Sequence, residues 1–143
     1  MAVQFNKRKG TDLLVIHCAA TRPSMDIGVR EIRQWHKQQG WLDIGYHLVI
    51  RRDGTVEQGR DINAVGSHAK GFNAKSIGIC LVGGVNDQLK PEDNFTPEQY
   101  ASLDVLVENV LDNFPNISKV VGHRDLDPGK ACPSFDVGAR KYL

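Results

Sequence analysis

The sequence is short of cysteine, of aromatics and of long apolar runs, and each shortage narrows what the chain can be. Three cysteines in 143 residues are an odd number, and two lie inside apolar stretches, LLVIHCA and SIGICLV. This usage fits reduced thiols rather than a disulfide framework, with Cys18 and Cys80 as small core residues. Cys132 stands apart, between Lys130-Ala131 and Pro133-Ser134. No apolar run approaches the ~20 residues that cross a bilayer. The N-terminal stretch MAVQFNKRKGTD carries bases but no apolar h-region and no small-residue cleavage site, so no secretory signal peptide is expected. An excess of one charge is missing too. Eighteen Lys and Arg against 17 Asp and Glu give a net charge of +1, and the interspersed signs give no reason to expect a nucleic-acid or membrane partner. No repeat, low-complexity segment or Gly/Ser/Pro linker divides the chain, so residues 1–143 read as a single domain.

What is present is an alternation of strand and helix signals. Leu13 to Cys18 is an apolar run of strand length, with His17 near its end. A helix is expected from Ile27 to Gln39, where Val29, Ile32 and Trp35/His36 share a face and Gly40 supplies the stop. Tyr46 to Arg51 and Thr55 to Arg60 flank Asp53-Gly54, which predicts a hairpin through a tight primed turn. Residues 61–75 read as loop, and Ser76 to Val82 as a buried strand ending at Gly83-Gly84. The strongest helix signal runs from Thr96 to Phe114: Thr96 as N-cap, Pro97 in the first turn and Gln99 completing a capping box. Val120-Val121 reads as a short strand delivering His123 to a loop, and a last short helix is expected after Asp136. The sum is an α/β domain with a mixed central sheet flanked by helices.

The chemistry concentrates in GHRDLDPGKACPSF, from Gly122 to Phe135. A plain connecting loop has no use for a histidine, a lysine and a cysteine so close together. His17 and His123 each sit where an apolar strand runs out, and strands ending at one sheet edge bring such residues together where ligands bind in open α/β sheets. Cys132 follows eight residues after His123 on a Pro/Gly loop. Two imidazoles and one thiolate suit a tetrahedral zinc site, and with Cys18 expected to face away and Cys80 mid-strand, no fourth protein ligand offers itself. Spacing alone leaves two other readings open: histidines packed at strand ends, and a Cys–His nucleophile pair. Of the remaining histidines, His36 reads as packing or surface and His68 as either a substrate contact or a surface residue. Tyr46 and His47 should point to opposite faces, with Tyr46 assigned to the cleft.

The segments VIHCAAT, VREIRQWHKQQGWLDIGYHLVIRRDGTVEQGRD, AVGSHAKGFNAKSIGICLVGG, NFTPEQ and KACPSFD resemble the amidase family that includes peptidoglycan recognition domains and small phage endolysins. The likeness covers essentially the whole chain and implies that family's fold. It also implies zinc held by His17, His123 and Cys132, with hydrolysis of the amide between N-acetylmuramic acid and L-alanine in peptidoglycan. Tyr46 and Lys130 fall on the family's two further catalytic positions, and His68 and Asn73 on positions near the muropeptide. A phage endolysin made in the host cytoplasm, and released to the wall by a membrane-permeabilising partner, is the biological role this implies. A monomer is expected. Inhibition of phage RNA polymerase, known within the family, and binding of peptidoglycan without cleavage are the alternatives.

Overall fold

The computed structural model describes residues 5–143; Met1–Gln4, the start of the stretch read for a signal peptide, lie outside the described residues. Strand β1 (Leu13–Cys18) is buried along its whole length. It is paired on both sides, with β4 (Ser76–Leu81) and β5 (Lys119–Gly122), both in parallel. Strand β2 (Leu48–Ile50) adds to β4 in parallel and β3 (Val56–Gln58) closes the sheet antiparallel to β2. The order is β3-β2-β4-β1-β5, a mixed five-stranded sheet. Helices α1 (Val29–Gln38) and α2 (Pro97–Asn113) cover opposite faces.

Side chains alternate across these buried strands, so each face is set by every second residue. Leu14, Ile16 and Cys18 of β1 and Ile77, Ile79 and Leu81 of β4 pack with Leu103, Val107 and Val110 of α2. The other face of β4 reads Ser76, Gly78 and Cys80. There Cys80 joins Val29 and Ile32 of α1. That face is small, and the space it leaves is filled by histidines.

The helix signals translate closely. Thr96 caps α2, its hydroxyl accepting from Gln99 N–H at 3.0 Å while Gln99 Oε1 accepts from Thr96 N–H at 3.0 Å. Helix α1 starts at Val29, two residues later than its apolar spacing suggests, with Gly28 as cap and the Val29 N–H bound by Glu57 Oε1. The hairpin forms, but not through a two-residue primed turn. Arg51 and Thr55 close a three-residue loop in which Gly54 alone has positive φ, +89°, while the Asp53 carboxylate accepts from Thr55 N–H; this is the turn-plus-bulge form. Two short elements lacked a sequence signal. His123 opens a single helical turn, α3 (His123–Leu126), rather than a loop, and Asn73–Lys75 form a 3-10 turn. After Asp136 the expected helix is one 3-10 turn, Gly138–Arg140. Among the described residues no helix is long and apolar enough to cross a membrane.

Candidate metal centre

The register between β1 and β5 pairs Ile16 with Gly122, so the residues that follow, His17 on β1 and His123 just past the end of β5, emerge at the same edge. Their rings lie 4.6 Å apart between centroids. His123 stays there because the chain turns at once into α3, where the Asp125 carboxylate accepts the Gly122 N–H at 2.8 Å. The loop that follows folds back on local bonds: Lys130 N–H to Asp127 O at 3.0 Å, and Arg124 N–H to Cys132 O at 2.8 Å. That return sets the Cys132 sulfur 3.7 Å from His17 Nδ1. The candidate ligand atoms of His17, His123 and Cys132 all lie within 4.8 Å of one another, close enough to share one metal ion. No fourth ligand completes that cluster among the described residues. Cys18 turns its side chain to the α2-side core, yet its backbone N–H points at Cys132 Sγ across 3.1 Å.

The electrostatics suit a cation. Burial, reinforced by the neighbouring imidazoles of His68, His123 and His47, holds His17 far below its usual range, and burial and then Lys130 lower His123. Both imidazoles are therefore neutral, the form that ligates. Hydrogen bonding with the Cys18 side chain, burial and the Cys18 charge hold the Cys132 thiol well above its ordinary range, against a smaller lowering by the Cys18 backbone N–H. A bound divalent ion takes the proton's place at such a thiol.

All the residues predicted from sequence line one cleft of about 600 Å³, which contains His17, Tyr46, His68, Asn73, His123, Lys130 and Cys132. Tyr46 faces the cleft and packs at 5.1 Å against His17 with the rings tilted by 53°, and burial keeps its hydroxyl protonated by raising it well above the ordinary tyrosine range. His47 does not line the cleft and is fully buried behind His68, accepting from Gly78 N–H at 3.0 Å and meeting Ala64 O at 2.8 Å. His36 accepts from Gly45 N–H and packs against Trp41 and Tyr46. Lys130 is exposed at the cleft mouth. Asn73 accepts the N–H groups of His68 and Ala69, each at 2.9 Å, and so ties the loop that forms the cleft wall. His68 is buried, with Nδ1 at 2.9 Å from His17 Nε2 and Nε2 at 3.2 Å from Ser76 Oγ.

Ser76 and Gly78 escaped the sequence reading, although the Ser-x-Gly-x-Cys spacing of small residues on β4 is a signal that one sheet face has room for something large. A wider groove of about 880 Å³ runs between α2 and the C-terminal turn. Several of its polar residues bind one another: Arg140 and Tyr142 both bind Asp104 at 2.7 Å, and Tyr100 donates to Asp93 at 2.7 Å. The convergence of three candidate ligands singles out the smaller cleft as the candidate site.

Fold and site together define a mixed α/β domain with a cluster of three candidate metal ligands at the carboxyl edge of its parallel strands. A family model described as N-acetylmuramoyl-L-alanine amidase matches residues 6–135. The endolysin of Escherichia phage T7 is 57% identical over 135 residues, 94% of this chain and 88% of that protein. Among solved structures, the N-acetylmuramoyl-L-alanine amidase LysC from Clostridium intestinale superposes with a TM-score of 0.79 at 32% identity, covering 98% of this chain and 91% of that one. Wild-type Drosophila PGRP-LB superposes at 0.75 with 25% identity, covering 95% and 81%. The chain belongs to the N-acetylmuramoyl-L-alanine amidase family.

Proposed function

We propose that this protein is a zinc-dependent endolysin that cleaves the amide between N-acetylmuramic acid and L-alanine in bacterial peptidoglycan. The meeting of His17, His123 and Cys132 carries the reading. A tetrahedral site with Zn–N near 2.0 Å and Zn–S near 2.3 Å separates its nitrogen and sulfur ligands by about 3.5 Å, and His17 Nδ1 stands 3.7 Å from Cys132 Sγ. Three protein ligands of this softness suit zinc and leave one position open, the pattern of catalytic rather than structural sites. When bound, zinc lowers the pKa of a water to about 7 and polarises a carbonyl.

The chain's own groups supply the rest. Attack on the amide builds negative charge on the carbonyl oxygen, and the Lys130 ammonium at the cleft mouth is the cation positioned to offset it. Tyr46, kept protonated by burial, acts as a hydrogen-bond donor that orients the reacting groups, not as a base. Asn73 and the wall around His68 and Trp41 form the side of the cleft that receives the muropeptide. Among the described residues no pair of carboxylates lines this cleft, so cleavage of the glycosidic bond is not supported.

Purified sacculi incubated with the protein should release free L-alanine amino termini, chelator should stop the release, and zinc should restore it. Reducing-sugar release in place of amino termini, or full activity under chelator, would sink the proposal.

A further inference from the structure

A neutral imidazole carries one ring proton, and which nitrogen holds it decides whether His17 can present a lone pair to a metal. Ser76 Oγ lies 2.8 Å from Phe72 O. A carbonyl oxygen only accepts, so the single Ser76 hydroxyl proton is committed there. Toward His68 Nε2, 3.2 Å away, Ser76 must then accept, which puts the His68 proton on Nε2 and leaves its Nδ1 bare. His17 Nε2 approaches that bare nitrogen to 2.9 Å. Two lone pairs do not meet at that distance, so His17 carries its proton on Nε2 and turns an unprotonated Nδ1 toward Cys132.

We propose that His68 and Ser76 are positioning residues that lock His17 in its Nε2–H tautomer, so that Nδ1 is free to ligate. The chain of bonds runs from the Phe72 carbonyl through Ser76, His68 and His17 to the centre. Its scaffold is specific. A Cβ on Gly78 would stand 2.6 Å from His68 Cγ, and one on Gly66 would stand 2.8 Å from His68 Cδ2 and 2.8 Å from His47 Cε1. Only a backbone without side chains at these points, one on β4 and one in the loop before His68, admits the His68 ring. His47, fixed by Gly78 N–H and Ala64 O, backs it at 5.5 Å. This assignment deepens the proposed zinc function and rests on it for its consequence, though the tautomer itself does not require a metal.

Two measurements test it. Nitrogen-15 spectra of histidine-labelled wild-type protein, stripped of metal at neutral pH, should show His17 as the Nε2–H tautomer; the Nδ1–H form would overturn the proposal. Zinc affinity by chelator competition should fall roughly 10- to 100-fold in His68→Leu, the usual cost of losing a group that orients a metal-ligating histidine. His68→Asn places an amide oxygen where Nδ1 stood and should recover affinity to within a few-fold of wild type, while Ser76→Ala should fall between. Equal affinity in the Leu and Asn variants would overturn the proposal even if both fold. Failure of the wild-type protein to bind one zinc per chain would instead strike the metal reading and leave the tautomer result standing.

Discussion

The backbone N–H of Cys18 donates toward the sulfur of Cys132 across 3.1 Å and 114 residues of sequence. A donor aimed at sulfur favours its thiolate form, and here the donor belongs to the main chain, so the Cys18 side chain is not needed for it. Cys132→Ala should therefore lose zinc, and with it all amidase activity, whereas Cys18→Ala should keep one zinc per chain and near-wild-type turnover. Loss of metal from Cys18→Ala would mean that its thiol is a fourth ligand and the site closed. Metal content by atomic absorption, beside activity on sacculi, decides between them.

Lys130 and Tyr46 touch the reaction without holding the metal in this scheme. Lys130→Ala should leave zinc content and melting temperature unchanged and lower kcat by roughly 10²–10³, the range for removing one group that stabilises oxyanion charge. Tyr46→Phe keeps the ring that packs against His17 and loses only the donor, so its effect should fall on kcat more than on zinc affinity. A Tyr46→Phe enzyme with wild-type kcat would remove the hydroxyl from the mechanism.

His47 gives the fold a dependence on acid that is separable from the metal. Burial is the main cause that lowers it to about 4; the bond to Ala64 O opposes it and outweighs the further lowering by either Arg8 or Arg60, while Asp61 opposes weakly; the His68 ring lies on its remaining side. The unfolded chain titrates it near 6.5. Above that pH both states are neutral and the group contributes no pH dependence. As pH falls from about 6.5 toward 4 the unfolded chain takes up a proton that the native state refuses, and stability drops by about 3 kcal/mol in all. His47→Asn, whose amide oxygen still accepts from Gly78 N–H, should start less stable at pH 7.5 and lose less between pH 7.5 and 4.5. Parallel urea midpoints for the two proteins across that range would show the effect to lie elsewhere.

Much of this architecture is legible before any coordinates. The β1 run, the capping box at Thr96 and the strand-end positions of His17 and His123 follow from local pattern and from the rule that parallel strands end at one edge. The meeting with Cys132 was legible only as chemistry, a thiol without purpose in a loop, because its return path depends on bonds such as Arg124 N–H to Cys132 O. Helix α3, four residues long, is shorter than any periodicity can reveal. His68 was ambiguous for a different reason. In GSHAKGFN it looks like a surface residue between glycines, and it becomes buried only because Gly78, on a strand ten residues further on, leaves its ring a space. Local text records propensity; it does not record which faces will be left empty.

Gln99 shows how firmly one side chain can tie a helix to the sheet. It is fully buried, and its amide uses its full capacity. Oε1 accepts from Thr96 N–H at 3.0 Å and from Arg52 Nη1 at 3.0 Å, and Nε2 donates to Val82 O at 2.8 Å and to Ile50 O at 3.2 Å. The last two carbonyls belong to the ends of β2 and to the residue after β4, so one residue holds the start of α2 to both strands. Truncation leaves buried donors and acceptors without partners, each costing about 1–3 kcal/mol. Gln99→Ala should thus destabilise the protein by about 3 kcal/mol or more, far above the ~1 kcal/mol of an ordinary helix cap, while each chain that remains folded still binds one zinc. Gln99→Glu, nearly the same shape, keeps the acceptor and turns an oxygen toward two carbonyls. It should be at least as damaging at pH 7. A Gln99→Glu protein that melts with wild type would show that the cost of truncation is packing and not hydrogen bonding.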